Sequence, residues 1–165
     1  MKKNLPLSFL GVSLLLVVIM LALLATPGLT TKVGNSVSNT TLVDLINPSN
    51  GNGLGGTIAA LIFTVLAAAI VLALCVLALV KKNIKIAPLC ALCGALLLFV
   101  AAILFFCTRS FYFGTVAKEM GISVSSVKDT FGDTVKLGAG AAVSGIFGLL
   151  AAFCLGCYGV LTWKK

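Results

Sequence analysis

The sequence predicts an all-α fold, a four-helix transmembrane bundle with both termini cytoplasmic and two extracytoplasmic loops, and three observations carry that prediction. The first is composition: 60% of residues are hydrophobic, 10% are charged and the mean hydropathy is +1.19. Soluble chains carry about 25% charged residues, and a soluble fold of 165 residues has no interior that could hold so much apolar surface. A bilayer accepts that surface on the outside of the fold. The second is a set of four apolar runs, residues 5–26, 55–80, 86–107 and 138–163, none containing a charged side chain. The third is the sorting of charge between the connectors. One membrane domain, residues 1–165, accounts for the whole chain.

Each run reaches the ~20 residues that cross ~30 Å of hydrocarbon at 1.5 Å per residue. Runs of this length without alternation are helices, because a barrel strand would be shorter and alternate lipid-facing with lumen-facing residues. Lys2 and Lys3 precede the first run, as in a signal peptide. The run is longer than the ~7–15 residues of a signal core, however, and no clear A-x-A site follows, so a retained anchor is expected. Pro27-Gly28 reads as its stop.

The first connector, residues 28–54, is rich in Asn, Ser, Thr and Gly, with turn signals at Asn47-Pro48 and Asn50-Gly51-Asn52-Gly53. Leu42, Val43, Leu45 and Ile46 form an apolar island within it, expected as a short strand or a surface helix. Residues 81–85 are too short for anything but a hairpin joint between antiparallel helices. In the second connector, residues 108–137, Val127, Phe131 and Val135 recur every four residues, which predicts an amphipathic helix leading into the fourth span.

Lys2, Lys3, Lys81, Lys82, Lys85, Lys164 and Lys165 fall on one side with no acid. Lys32, Arg109, Lys118, Lys128 and Lys136 fall on the other with all four acids, Asp44, Glu119, Asp129 and Asp133. The positive-inside rule makes the lysine-only side cytoplasmic and the protein a multi-pass plasma-membrane protein. The net charge of +8 does not indicate nucleic acid as a partner. The basic residues are dispersed at the ends of apolar runs and form no basic helix face or aromatic-interleaved patch.

Small residues mark the fourth run. Gly140, Ser144, Gly148, Ala152 and Gly156 recur every four residues, and a shorter row, Gly56, Ala60, Thr64 and Ala68, marks the second. In lipid no hydrophobic drive joins helices, so close backbone approach over small side chains does. The rows fit packing within one bundle or a self-association face that builds an oligomer.

Cys90 and Cys93 form one C-x-x-C pair, Cys154 and Cys157 another, and with Cys75 they share a layer roughly 7–15 Å inward from the nearest lysines. Metal or redox chemistry would need deprotonated thiols and polar support, which this layer lacks, and the chain has no histidine. Core packing and S-acylation are the other readings. Cys107 stands alone near the outer boundary, and the outer connectors hold no disulfide framework. Asn39-Thr40-Thr41 matches the N-glycosylation acceptor.

No Asp, Glu, Lys, Arg or His lies in any run, and the polar members are few, among them Ser8, Ser13, Thr64, Ser144 and Tyr158. Coupled transporters and intramembrane enzymes mark their pathways with buried ionisable groups or mid-span helix breaks, and a hydrolase needs a general base. A non-enzymatic protein without cofactor is therefore expected.

The four spans, the longer first outer loop, the tight lysine turn and the thiols near cytoplasmic helix ends resemble the claudin-like tetraspan topology. They are also similar to the small four-span proteins of Gram-positive bacteria, with an Ala/Gly-rich last helix such as Gly138-Ala-Gly-Ala-Ala-Val-Ser-Gly145. The resemblance is one of topology. Residues 28–54 lack the Trp-Gly-Leu-Trp-like motif and the two cysteines of claudins, and residues 108–137 lack the Cys-Cys-Gly of tetraspanins. It carries over no functional residue. The function expected is structural or partner-organising work in the cell envelope, with the lipid bilayer, other membrane proteins or a second copy as partners. A small pore or passive-transport subunit, or a membrane immunity or stress protein, are the alternatives.

Overall fold

A computed structural model describes residues 5–46, 54–80 and 85–163. The expected turns at Asn47-Pro48 and Asn50-Gly51-Asn52-Gly53 lie outside the described residues. So do Lys2, Lys3, Lys81, Lys82, Lys164 and Lys165.

Four helices are long and apolar enough to cross a membrane: Pro6–Ala25, Gly55–Leu79, Ala87–Phe106 and Ala139–Trp163. The first comprises α1 (Leu5–Ala22) and a 3-10 turn, Leu23–Ala25. After it come β1 (Pro27–Val33), β2 (Ser36–Thr41), α2 (Leu42–Ile46), α3 (Gly55–Leu79), α4 (Ala87–Phe106), α5 (Thr108–Met120), α6 (Val124–Phe131), β3 (Val135–Leu137) and α7 (Ala139–Trp163). Pro6 and Pro88 sit in the first turns of α1 and α4, where the missing N–H breaks no helical bond.

The long helices form a ring in which α7 packs along α1 and α4, and α3 packs along α4 and more lightly along α1. Inward positions follow the helical period. On α3 they are Thr57, Ala60, Thr64, Ala67, Val71 and Leu74; on α4 they are Ala91, Gly94, Leu98, Ala101, Ala102 and Phe105. Outward positions are equally apolar, as at Leu15, Leu79, Leu96 and Phe153, each at least half exposed. A helix apolar on every side needs lipid or protein all round it, which fits a membrane-embedded protein.

The all-α expectation is corrected by a three-stranded antiparallel sheet, ordered β2-β1-β3, at the end of the bundle where α1 stops and α7 begins. Gly34 and Asn35 turn the β1–β2 hairpin, and Gly34 has φ +59°. Mirror-image two-residue turns require that left-handed conformation at their first position, and glycine takes it without a Cβ penalty. β3 arrives from the far end of the sequence. Lys32 N–H donates to Thr134 O at 2.8 Å, and Gly138 N–H donates to Gly28 O at 2.9 Å.

The apolar island becomes α2. Its start is capped by Thr41, whose hydroxyl donates to Asp44 Oδ2 at 2.7 Å and accepts from Asp44 N–H at 3.2 Å. Leu42 and Leu45 are fully buried over Gly28, where an added Cβ would come within 2.8 Å of each. That contact packs α2 against the hairpin.

The second connector departs furthest from expectation. Helical structure does not stop at 107: Phe111 N–H donates to Cys107 O, and α5 carries the chain on to Met120. The amphipathic helix exists as α6, capped by the Ser123 hydroxyl on Ser126 N–H, with Val127 fully buried. It ends at Phe131, so Val135 is buried as a strand residue instead. Helical spacing over-reached there because a buried period-four position and a buried strand position look alike in sequence.

Candidate functional site

Two regions gather the side chains that sequence singles out: the seam around α7, and the cap of sheet and short helices over one end of the bundle.

The α7 row does not stay on one face. A four-residue step turns the helix by 400°, so the row drifts about 40° per step. Gly140 starts against the sheet, where an added Cβ would collide with Thr26 Oγ1 and Pro27 O. Ser144 is fully buried. Gly148 sits where three helices meet, its Cβ position 3.0 Å from Ala102 Cβ on α4 and 3.1 Å from Met20 Cε on α1. Ala152 is buried, but Gly156 meets nothing closer than Ala95 Cβ at 3.9 Å. It lies at the edge of the seam. Two glycines outside the four-residue row complete the contact with α4: Gly145 under the Phe106 ring and Gly159 against Leu92.

On α3, Ala60 and Thr64 point inward and Ala68 is partly buried. Gly56 turns toward the cap, its missing Cβ occupied by the Phe111 ring of α5. The row therefore joins α3 to the cap at one end and to the bundle core further along.

Two of the core's hydroxyls donate to helix carbonyls. Ser13 donates to Ala151 O at 3.3 Å, tying α1 to α7, and Thr64 donates to Ala60 O at 2.8 Å. Thr57, Thr108 and Ser144 are buried with hydroxyls that meet no partner among the described residues.

The five thiols lie toward the end opposite the cap but are not brought together around a centre. Cys93 is exposed on α4, while Cys75 and Cys154 are half-buried. Cys90 lines a groove of about 260 Å³ between α3 and α4 with Ile70, Leu74 and Leu77. Cys157 lines another of about 450 Å³ between α1 and α7 with Phe9, Phe153, Gly156 and Val160. Among the described residues, no three His, Cys, Asp or Glu side chains converge as a metal site would require. All six cysteines are free thiols.

In the cap, Asn39 is exposed on β2 and accepts a hydrogen bond from Thr30 Oγ1 at 3.1 Å. Arg109 is a site residue that sequence placed only among the outer charges. Its guanidinium lies 5.2 Å from the centre of the Phe113 ring and donates to Gly132 O at 2.5 Å, holding the end of α6 against α5. A visible signal existed, since Arg109, Phe113 and Ala117 recur every four residues.

No protein-family model and no curated protein matches the chain. The site offers closely packed helix surfaces, apolar grooves, and a cap built from backbone hydrogen bonds with charged side chains at its surface.

Proposed function

We propose that this chain is a non-enzymatic membrane protein of the cell envelope that works by contact, organising other membrane proteins or copies of itself. In that reading both termini are cytoplasmic and the cap is extracytoplasmic. One observation carries it. The ring of helices is filled with small and apolar side chains, and the two hydroxyls bonded inside it, Ser13 and Thr64, are taken up by helix carbonyls. No Asp, Glu, Lys, Arg or His stands in any span, so the residues that ordinarily relay protons or act as general bases are missing there. What is left for recognition is the helix exteriors and the cap.

Crosslinking in native membranes followed by mass spectrometry tests this. The expected result is peptides from the cap or the helix exteriors joined to another membrane protein or to a second copy. Recovery of the chain alone, with no self-association in mild detergent, would overturn it. Solute flux through liposomes containing the purified chain, above that of empty vesicles, would replace it with the pore reading.

A further inference from the structure

The two edges of the small sheet are treated differently. The β3 edge has three residues, carries exposed Lys136 and is flanked by α5. Shortness, lysine and a covering helix are the devices by which proteins prevent edge-to-edge pairing. The β2 edge is six residues long, and the helix that meets it, α2, follows directly from its C-terminal end at Thr41. The strand's sequence, Ser-Val-Ser-Asn-Thr-Thr, contains no charge and no proline, and Ser36 to Asn39 are all exposed. The bulge in the hairpin falls between Pro27 and Leu29 on β1, so it does not twist the free edge away.

Lys32 and Gly28 direct their backbone groups to the β3 side, since Lys32 N–H reaches Thr134 O and Gly28 O receives Gly138 N–H. Backbone direction alternates along a strand, so Leu29, Thr31 and Val33 face β2. Their register partners Thr40, Ser38 and Ser36 face back. Val37 and Asn39 therefore direct both N–H and C=O outward, away from every other strand.

We infer that this edge is a self-pairing surface: β2 of one chain joins β2 of a second copy, antiparallel about a two-fold axis at Ser38. Under that operator Val37 meets the second copy's Asn39 and the reverse, so each outward donor finds an outward acceptor and four backbone bonds close. The edge is its own complement, neutral along its length, which is what an isologous contact demands. The inference rests on the contact reading above and names one partner and one surface for it.

The axis makes a sharp geometric prediction. Ser38 would face its own copy in a non-hydrogen-bonded pair, with Cα atoms about 4.5 Å apart, inside the range a disulfide spans. The full-length Ser38→Cys chain is oxidised mildly in membranes and in mild detergent, where copies can take either mutual orientation. Wild type, with its native thiols, and Ser125→Cys on exposed α6 are the comparators. Expected is a disulfide dimer for Ser38→Cys at least about tenfold above both.

Adding Val37→Pro removes an N–H that faces away from β1, so the hairpin's own ladder survives and the dimer should fall back to background. The inference is overturned if Ser38→Cys crosslinks no more than Ser125→Cys. It is equally overturned if Val37→Pro leaves the dimer unchanged. Should Ser38→Cys fail while crosslinking in native membranes still captures a partner, this surface is wrong and the contact reading stands. Failure of both removes the reading itself.

Discussion

Gly148 and Gly156 lie about two turns apart on α7 and have the same side chain, yet their surroundings differ. Gly148 is enclosed by Ala102 and Met20, while Gly156 opens onto the groove beside Phe9 and Phe153. A leucine at Gly148 would have to displace two helices, so Gly148→Leu is expected to destabilise the chain by about 1–3 kcal/mol. Thermal unfolding in detergent measures this. Gly156→Ala is expected to change stability by no more than about 0.5 kcal/mol in the same assay. Equal losses at both positions would show that the seam is not where these contacts place it. Sequence could mark the row of small residues but not separate its members, because the separation depends on the 40° drift and on what stands opposite. Arg109 shows the same limit. Its charge was legible, but its bond to Gly132, 23 residues on, was not.

At the scale of elements, the four long helices were legible because each is a long uncharged run, and the ends of α3, α4 and α7 fall within a residue of the expected spans. The sheet was not. β1 and β2 are mostly polar, threonine-rich and part-exposed along their length, so no alternation of apolar with polar residues betrays them. β3 has three residues, too few for any pattern. The available signal was Gly34-Asn35 between two runs containing valine and threonine, a hairpin signature. It also sets a prediction. Gly34→Val places a β-branched residue at φ +59° and should cost about 1–2 kcal/mol at the turn. Faster amide hydrogen exchange across residues 27–41, with exchange in α3 and α4 unaltered, is the expected result; unchanged exchange in the hairpin would count against the turn.

For the whole molecule, one end of the bundle carries the cap and the other the joint between α3 and α4. In the proposed orientation Lys85 is cytoplasmic and Ser125 extracytoplasmic, both exposed. In a variant lacking the native thiols, Ser125→Cys should react with a membrane-impermeant maleimide on intact cells. Lys85→Cys should react only after permeabilisation. The reverse pattern would invert the orientation and leave the fold intact. Charge sorting in the connectors made this expectation possible, although six of the seven lysines that carry it lie outside the described residues.

The stitch between Gly28 and Gly138 bears on how the protein is made. The hairpin is complete in the nascent chain once Thr41 has emerged, but the strand that fills its inner side begins at Val135, 94 residues later (135 − 41). At ordinary elongation rates that interval is about 5–20 s. Through all of it β1 presents an unfilled edge, while α3 and α4 are still being inserted. β3 and α7 are contiguous, so the residues that complete the cap and those that close the ring of helices leave the ribosome together. A chain that ends before residue 135 lacks β3, and both edges of its hairpin are then without a strand partner.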